Sequence, residues 1–361
     1  MNDANELISF IASMSGEGNL RVEENLGEGY VRLRVSEAER RQAKHDIQHV
    51  EDIVIEMLRN ARDAGADKVY LATTKEEGVR TLLFLDNGSG VPQDMQERIF
   101  DARVTSKLES MKMDRWGVHG RGMALFSIKQ NTDEARVVTS GVDLGSAFKV
   151  CVATDRLGER ADQSSWPQAV KDEDGRYVCA RGPHNIIRAA CEFALEELRC
   201  CDVYLGSPSE IAATLYAQAS SRLDTSRLLF IDDECELPVI DRLGLASDAE
   251  DFIRICSGLG LEMSERTAHR ILSGQIKPVR GVTARLLRER DSTSHAPAPV
   301  DLAKDRRGLR IAKDDMAQFS RAVERDFNDL AARYYLNLCG DPKIRVSHDR
   351  ITVTFDLAKE E

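Results

Sequence analysis

The sequence predicts an α+β fold in its first half and a mainly helical second half. Alternating apolar and polar residues predict a strand at 29–35, and two apolar runs on either side of a Glu-Glu-Gly turn predict strands at 68–72 and 81–85. In the second half the apolar spacing changes to the period of helices. We therefore expect an α+β domain at 1–206 and a smaller, mainly helical domain at 207–361.

The first helix is predicted to begin after Ser36, because Ser36 and Glu39 have the spacing of a capping box. Apolar residues from Ile47 to Ala61 keep the helical period, and Gly65 can end the helix. One continuous helix is therefore expected between Ser36 and Gly65.

The remaining elements follow from the same two periods. A hairpin is expected at 135–139 and 147–153, and two further strands are expected at 184–194 and 201–205. The second half contains three predicted helices (208–221, 249–259 and 264–272), a polar linker (291–300), a long amphipathic helix (314–338) and a closing hairpin around His348 and Asp349.

The composition excludes several classes of protein. The chain has 361 residues, of which 42% are hydrophobic and 31% charged, and it has no apolar run near the roughly 18 residues of a membrane span. Its eight cysteines are scattered and are expected to be thiols rather than disulfides or zinc ligands. The net charge of −11 argues against a protein that coats nucleic acid. We expect a cytoplasmic protein with no membrane contact.

The first of three motifs lies on the predicted helix. Glu56, Asn60 and Asp63 are spaced at i, i+4 and i+7, so one helix face presents all three. The Glu56 carboxylate can polarise a water that attacks a phosphate. The Asn60 side-chain oxygen can bind Mg²⁺, which keeps waters and phosphate oxygens as its other ligands. A polar surface stripe is the alternative if this motif stands alone.

The second motif follows the strand at 81–85. Asp86 lies at the end of this strand, where its carboxylate can accept a hydrogen bond from an adenine amino group. Gly88 and Gly90 let the backbone pass close beneath a base, where a Cβ would obstruct it. An ordinary Asp-Asn-Gly turn between strands is the simpler explanation of this motif alone.

The third motif is a glycine-rich loop. Gly117, Gly120 and Gly122 precede a helical run that begins at Met123. Such a loop exposes backbone N–H groups and the positive end of a helix to phosphates. The segment 91–116 between the two glycine motifs is too long for a tight turn and is expected to form a lid.

In this order and spacing, the three motifs resemble the GHKL ATPase superfamily of gyrase-type topoisomerases, heat-shock chaperones, histidine kinases and MutL. The resemblance is specific over 50–128. It implies a GHKL (Bergerat-type) α/β sandwich, with helices on one face of a mixed sheet, and it implies ATP and Mg²⁺ as cofactors. In this superfamily lid closure usually drives dimerisation, so the resemblance also implies a nucleotide-dependent homodimer.

The lid contains a further element of this kind. Thr105-Ser106-Lys107 resembles the Thr-Ser-Lys element of MutL-type proteins, where these residues close over the nucleotide. Thr105 is therefore expected to contact the nucleotide, and Lys107 is a candidate catalytic phosphate contact; a solvated surface lysine is the alternative. His119 has no identifiable partner and is expected to be a bystander.

Two features favour MutL and the topoisomerase VI B subunit over the kinases, namely Thr105-Ser-Lys and the sequence Asp63-Ala-Gly-Ala. A sensor kinase is not expected, because the segment before the first motif is short for a dimerising helical hairpin. The part at 248–290 loosely resembles the helix-two-turns-helix module of topoisomerase VI B. The space left after the linker is too small for the full transducer domain of that family.

One region is locally basic. Between Ser264 and Arg290 seven Lys and Arg residues stand against two Glu residues, a balance of +5. Such a cluster favours contact with the phosphates of DNA, and a solvated helix face is the alternative.

The sequence as a whole favours an ATPase that acts as a conformational switch in DNA maintenance, topology or defence. Two alternatives remain, a chaperone-like or partner-remodelling ATPase and a nucleotide-binding scaffold that does not hydrolyse ATP. The presence of Glu56 argues against the scaffold, which has no need of a general base.

Overall fold

The structure is a computed structural model that describes residues 22–106, 112–119, 122–160, 162–198, 200–223, 233–287, 313–331, 336–340, 342–346 and 351–359. The chain forms two compact units, of which the first ends at Asp291 and the second begins at Ser292. The sequence placed a boundary between residues 206 and 207 instead. The helices after Ser207 belong to the first unit because they pack on its sheet.

The described strands of the first unit are β1 (Val22–Gly27), β2 (Tyr30–Leu33), β3 (Lys68–Glu76), β4 (Val79–Asp86), β5 (Val104–Thr105), β6 (Lys112–Asp114), β7 (Gly117–His119), β8 (Glu134–Ser140), β9 (Ser146–Ala153), β10 (Gln168–Lys171), β11 (Tyr177–Arg181) and β12 (Asp202–Gly206). Its helices are α1 (Glu37–Asp46), α2 (Val50–Asp63), α3 (Ala124–Asn131), α4 (Ile186–Glu196), α5 (Pro208–Arg222), α6 (Ala249–Gly258) and α7 (Glu265–Leu272). A further helical turn covers 282–287.

The centre of the first unit is a five-stranded mixed sheet with the order β12-β3-β4-β9-β8. Strand β12 pairs with β3 in parallel, with Tyr204 opposite Tyr70. The other neighbours pair antiparallel. A smaller sheet, β1-β2-β5, and the β6–β7 hairpin lie outside this sheet. The predicted α+β fold with a mixed sheet is confirmed.

The first face of the sheet is covered by α2, α3 and α4. Alternation along β4 directs Leu82 and Phe84 to this side, where they contact a core that includes Ile53, Leu58 and Phe193. These side chains are almost completely buried. This packing places α2, which carries the first motif, directly above the strands that end at the second motif.

The second face is covered by α5, α6 and α7. Leu83 and Leu85 of β4 point to this side, and they belong to a core with Tyr70, Ile211 and Phe252. The helices after residue 206 therefore add a second layer, on the other face of the same sheet. The helical segment after β12 cannot stand apart as a domain, because its apolar face is buried on the sheet.

The expected single helix between Ser36 and Gly65 is two helices. The Ser36–Glu39 capping box begins α1 as predicted. The backbone of Ile47 is extended, however, and the Asp52 side chain accepts hydrogen bonds from the backbone N–H groups of Gln48 and His49 at 2.9 Å each. These bonds cap the start of α2 and interrupt the helical path.

The expected strand at 184–194 is a helix. Asn185 caps α4, since its side-chain oxygen accepts a hydrogen bond from the Arg188 N–H at 2.8 Å. Apolar residues then recur at helical spacing and are buried, as Ile186, Ala190 and Phe193 show. The N-cap and the apolar period act together here and outweigh the β-branched pair at the start.

One edge of the sheet is covered by the segment 277–287. The Val279 N–H donates a hydrogen bond to the Thr214 hydroxyl at 2.9 Å. A Cβ on Gly281 would lie 3.7 Å from the carbonyl oxygen of Val203 in β12. Beyond this point Val282 and Leu286 are buried in the core of the first face. The segment therefore crosses the edge strand β12 from the second face to the first.

The second unit contains one long helix, α8 (Lys313–Ala331), and four short strands, β13 (Leu336–Leu338), β14 (Lys343–Val346), β15 (Ile351–Thr354) and β16 (Leu357–Lys359). Strands β14 and β15 form the predicted closing hairpin, and β13 pairs with β16. The predicted helix to residue 338 is too long, because 336–338 is a strand. Among the described helices, none has both the length and the apolar character to cross a membrane.

Candidate functional site

The site is a cavity of about 490 Å³ on the first face of the sheet, beneath α2. The predicted helical spacing of Glu56, Asn60 and Asp63 brings all three side chains to it. Four other residues predicted for the site line the same cavity, namely Asp86, Gly90, Thr105 and Gly122.

The remaining site predictions have different outcomes. Gly88 lies beside the cavity, where a Cβ would be 2.9 Å from both the Cβ and the carbonyl oxygen of Ala64. Gly117 is in β7, opposite Asp114. Lys107 and Gly120 lie outside the described residues.

One end of the cavity is formed by the loop after β4. Asp86 is buried, and its carboxylate accepts a hydrogen bond from the Gly88 N–H at 2.8 Å. Gly90 has a φ of 68°, and a Cβ there would lie 1.8 Å from the Gly141 carbonyl oxygen. Glycine is therefore required at Gly90, for its backbone conformation and for the close contact with the β8–β9 turn.

The other end is formed by the glycine loop before α3. Gly122 has a φ of 68°, and a Cβ there would lie 2.8 Å from the Val104 carbonyl oxygen. The N-cap of α3 is Met123, whose side chain makes no capping hydrogen bond. The start of α3 lies against the cavity, since Met123 and Ala124 line it. Backbone N–H groups at the start of a helix bind anions such as phosphate.

The predicted lid at 91–116 is only partly a surface loop. Met95, Ile99 and Phe100 are buried in the core of the first face. Thr105 is also buried, and its strand β5 pairs with β2 through Val31. The early part of this segment is thus fixed to the fold by apolar burial and strand pairing.

Arg103 adds a buried cation to the cavity. Its φ of 62° is unusual for a residue other than glycine. Its guanidinium forms an ion pair with Glu39 of α1, and both residues line the cavity. Burial opposes the charged form of Glu39, but hydrogen bonds from the Ser36 backbone and from Arg103 outweigh it and lower the pKa of that carboxyl.

A second buried arginine lies next to the motif residues on α2. The Arg59 guanidinium donates to Glu56 Oε1 at 2.7 Å. It also donates through Nε and Nη2 to the two carboxylate oxygens of Asp114, at 2.9 and 3.0 Å. Asp114 belongs to the β6–β7 hairpin, so Arg59 joins this hairpin to the motif helix.

Arg62 extends this network along α2. It donates to Asp63 at 2.9 Å, to Asp114 at 3.1 Å and to Glu197 at 3.0 Å. Burial alone would lower the pKa of the Arg62 guanidinium, but the three carboxylates around it raise that pKa. Arg62 therefore stays charged, and it compensates the acidic side chains next to the nucleotide motif.

Four residues of this part of the site were not predicted from the sequence, namely Arg59, Arg62, Asp114 and the cavity-lining Trp116. The helical spacing could have predicted the contact of Arg59 with the motif residues. Arg59 is three residues after Glu56 and four before Asp63, and side chains at these distances are neighbours on a helix. No local spacing could have predicted the pairing of Arg59 with Asp114, because the two residues are 55 positions apart in the chain.

The residues present suit a magnesium nucleotide. Glu56, Asn60 and Asp63 offer oxygen donors on one helix face, and Mg²⁺ prefers oxygen ligands. No cluster of three His, Cys, Asp or Glu side chains able to hold a metal occurs in the described part of the chain. Mg²⁺ usually has only one or two protein ligands and takes its others from phosphates and water, so a single Asn60 ligand agrees with this.

Comparison with known families agrees with the geometry. Residues 47–148 match the family described as histidine kinase-, DNA gyrase B- and HSP90-like ATPases. Over these residues the chain is similar to the GHKL ATPase domain. The predicted resemblance is confirmed, and the matched range contains all three motifs around the cavity.

Relatives of the GHKL domain include DNA mismatch repair proteins. The chain is 34% identical over 112 residues to MutL of Brucella abortus (strain S19), which covers 31% of this chain and 18% of that protein. It is 31% identical over 107 residues to MutL of Thermodesulfovibrio yellowstonii, covering 29% and 19%. It is also 31% identical over 115 residues to MutL of Pediococcus pentosaceus, covering 31% and 17%. The chain thus spans less than a fifth of the length of these relatives.

Proposed function

We propose that the protein is an ATP-dependent conformational switch that binds Mg-ATP in the GHKL domain and hydrolyses it slowly. One observation carries this proposal. A single face of α2, the loop after β4 and the glycine loop before α3 converge on one cavity. Acidic and amide oxygens, a buried carboxylate and helix N–H groups are the groups that Mg²⁺, adenine and phosphates need.

The residues divide the binding task between the two ends of the cavity. Asp86 accepts a hydrogen bond from the adenine amino group, and Gly88 and Gly90 allow the base to approach the backbone. At the other end the N–H groups after Gly122 hold phosphates. Thr105 and Lys107 complete the phosphate contacts.

Glu56 is the proposed general base. Its carboxylate takes a proton from the water that attacks the γ-phosphate. Asn60 is the proposed ligand for Mg²⁺, which neutralises phosphate charge when it is bound, and Asp63 binds the nucleotide next to it. Closure over the nucleotide promotes homodimerisation, and the cytoplasm, where Mg-ATP is abundant, is the proposed location.

DNA is the proposed partner of the switch. Arg266, Arg270, Lys277 and Arg280 are exposed, and within the described residues none of them pairs with an acidic side chain. The relatives described above are DNA mismatch repair proteins. An unpaired basic surface fits a polyanion, although the net charge of the chain is −11.

The test is ATP hydrolysis by the unsubstituted protein and by Glu56→Ala, with and without DNA, at low and moderate salt. We expect turnover to fall by about 10²–10⁴-fold in Glu56→Ala, because the general base is removed. We expect DNA to increase turnover of the unsubstituted protein, with a larger increase at low salt. If neither protein hydrolyses ATP while both bind it, the switch is contradicted and a scaffold is supported.

A partner-remodelling ATPase is the second candidate function. In the second unit Phe319 and Leu330 of α8 are 39% and 49% exposed, which favours contact with a protein. Turnover that depends on Glu56 but is indifferent to DNA at every salt concentration would support this candidate over the first.

A further inference from the structure

The GHKL cavity is joined to the β6–β7 hairpin by four charged side chains on α2 and β6. We call this group the charged bridge: Glu56, Arg59, Arg62 and Asp114. The side chains of Arg59, Arg62 and Asp114 are 3%, 8% and 8% exposed. Glu56, at 22%, is the member most open to solvent. The bridge thus leads from a buried cluster to the edge of the cavity.

The hairpin fixes the direction of the Arg59 guanidinium. Two parallel hydrogen bonds to Asp114 hold its plane in one orientation, as in other bidentate arginine–carboxylate pairs. The nitrogen that remains on the far side, Nη1, reaches Glu56 Oε1 at 2.7 Å. Asp114 of the hairpin therefore acts on the orientation of the Glu56 carboxylate through Arg59.

The same hairpin also contacts the cavity directly. Trp116 follows Asp114 by two residues, lines the cavity and stacks on Phe193 of α4 with ring centroids 6.3 Å apart. The Trp116 N–H also donates to Asp114 at 3.0 Å. A displacement of the hairpin would therefore change the cavity wall and the charged bridge at the same time.

We propose that Arg59 is a positioning residue for Glu56, and that Asp114 holds Arg59 in the productive orientation only while the β6–β7 hairpin is docked on α2. The inference rests on the proposed function, in which Glu56 is the general base. Docking of the hairpin then determines whether the base is aligned, and ATP hydrolysis is coupled to the position of this hairpin rather than to nucleotide binding alone.

The first experiment is a double-substitution cycle on turnover with Glu56→Ala and Arg59→Met. We expect Arg59→Met to lower kcat by about 30-fold and to change the Kd for ATP, measured by calorimetry, by less than about threefold. In the Glu56→Ala background Arg59→Met is expected to change kcat by less than about twofold, because Arg59 acts through Glu56. Independent, multiplicative losses would overturn the positioning role.

Two further variants distinguish a specific role of Arg59 from a general loss of structure. Arg59→Lys keeps the charge but not the bidentate geometry, and we expect its kcat to lie between those of the unsubstituted protein and Arg59→Met. Arg156→Gln is the control outside the hairpin, since Arg156 is 53% exposed and pairs with Asp133 at 3.0 Å. It is expected to leave kcat unchanged; a loss equal to that of Arg59→Met would contradict the specific role.

The second experiment follows the hairpin itself without turnover. The chain has two tryptophans, so in a Trp166→Phe background the fluorescence reports Trp116 alone. Asp114→Asn is expected to shift the emission to longer wavelength and to increase acrylamide quenching, because the bidentate pair is lost and Trp116 becomes exposed. Asp114→Glu, which keeps the carboxylate, is expected to restore much of the native spectrum and of kcat.

The two experiments separate the inference from the proposed function. If the unsubstituted protein does not turn over ATP, the proposed function and the role of Arg59 in catalysis both fail, while the docking of the hairpin is still judged from Trp116. If turnover depends on Glu56 but the Trp116 spectrum and kcat are unchanged in Asp114→Asn, the ATPase stands and the role of the hairpin is overturned.

Discussion

The two faces of the central sheet are covered in chemically different ways. On the first face the described buried polar side chains include Glu51, Arg59, Asp86 and Arg103, most of which have a partner of opposite charge or a backbone donor. On the second face the core includes apolar side chains such as Phe252, and the buried polar side chains described there include Thr214 and Arg242.

This difference shows that one sheet serves two purposes. The first face holds charge next to a cavity, which is expensive unless every charge is compensated. The second face excludes water and contributes stability by apolar burial. The single strand β4 contributes side chains to both cores, because successive residues point to opposite faces. Phe84 points to the first face, and Leu83 and Leu85 point to the second. Substitutions on the two faces are therefore expected to have separable effects.

The largest effect is expected from Gly90→Ala on the cavity side. The added Cβ would overlap the Gly141 carbonyl oxygen at 1.8 Å, and Gly90 has a φ of 68°. We expect a loss of more than about 4 kcal/mol in the free energy of unfolding and loss of ATP binding. The measurements are chemical denaturation and ATP calorimetry.

Gly274→Ala is the matched control for this substitution. Gly274 follows α7 and has a similar φ of 72°, but nothing lies within 4 Å of its Cβ position. The expected cost is the backbone term alone, about 1–2 kcal/mol, with the ATP affinity unchanged. Equal effects of the two substitutions would show that the close contact at Gly90 is unimportant.

The next largest effect is expected from Phe252→Ala on the second face. Phe252 of α6 is completely buried, and its ring packs edge to face against the Tyr216 ring with the ring centroids 5.6 Å apart. We expect the free energy of unfolding to fall by about 3–5 kcal/mol. Below the new melting temperature the ATP affinity is expected to be native, because the cavity lies on the other face. A parallel loss of affinity would show that the two faces are coupled.

A smaller effect is expected at the basic surface of the second face. Arg266→Glu with Arg270→Glu is expected to weaken DNA binding and to lower the slope of log K against log salt by about one per arginine, with basal ATP turnover unchanged. The measurement is fluorescence anisotropy over a salt series. Arg181→Glu, an exposed arginine on β11, is the control, and the same loss there would indicate a non-specific charge effect.

The smallest effect is expected from Glu39→Gln at the edge of the cavity. Glu39 caps α1 and pairs with Arg103, and its loss is expected to cost about 1 kcal/mol of unfolding free energy. Because the pKa of Glu39 is lowered from 4.5, its contribution is present above that pH and is lost as the pH falls below it. The difference between the two proteins in thermal denaturation should therefore shrink at pH 3.5; a constant difference would contradict this.

The local features of the site could be predicted from the sequence, whereas the long-range ones could not. Glu56, Asn60 and Asp63 share a helix face by spacing alone, and their shared cavity agrees with that expectation. The requirement for glycine at Gly90 also follows from its motif. The pairing of Arg59 with Asp114 depends on how a distant hairpin docks, which no local period contains.

The incorrect predictions about the fold have similar causes. The break between α1 and α2 arises from Asp52, which binds the backbone just ahead of it and competes with a continuous apolar period. The helix at 186–196 begins with Asn185, a cap that the β-branched residues after it obscured. The second helical layer was mistaken for a separate domain because a sequence shows that a helix face is apolar but not which surface it covers.

The segment 277–287 has a practical consequence for expressing parts of the chain. A fragment that ends at residue 206 contains every motif of the ATPase, yet it would expose Tyr70, Leu83 and Leu85 to water. It would also leave the backbone N–H and C=O groups of the edge strand β12 open to pairing with another chain, which promotes aggregation. A soluble nucleotide-binding fragment therefore has to extend past residue 287, well beyond the last motif that the nucleotide site requires.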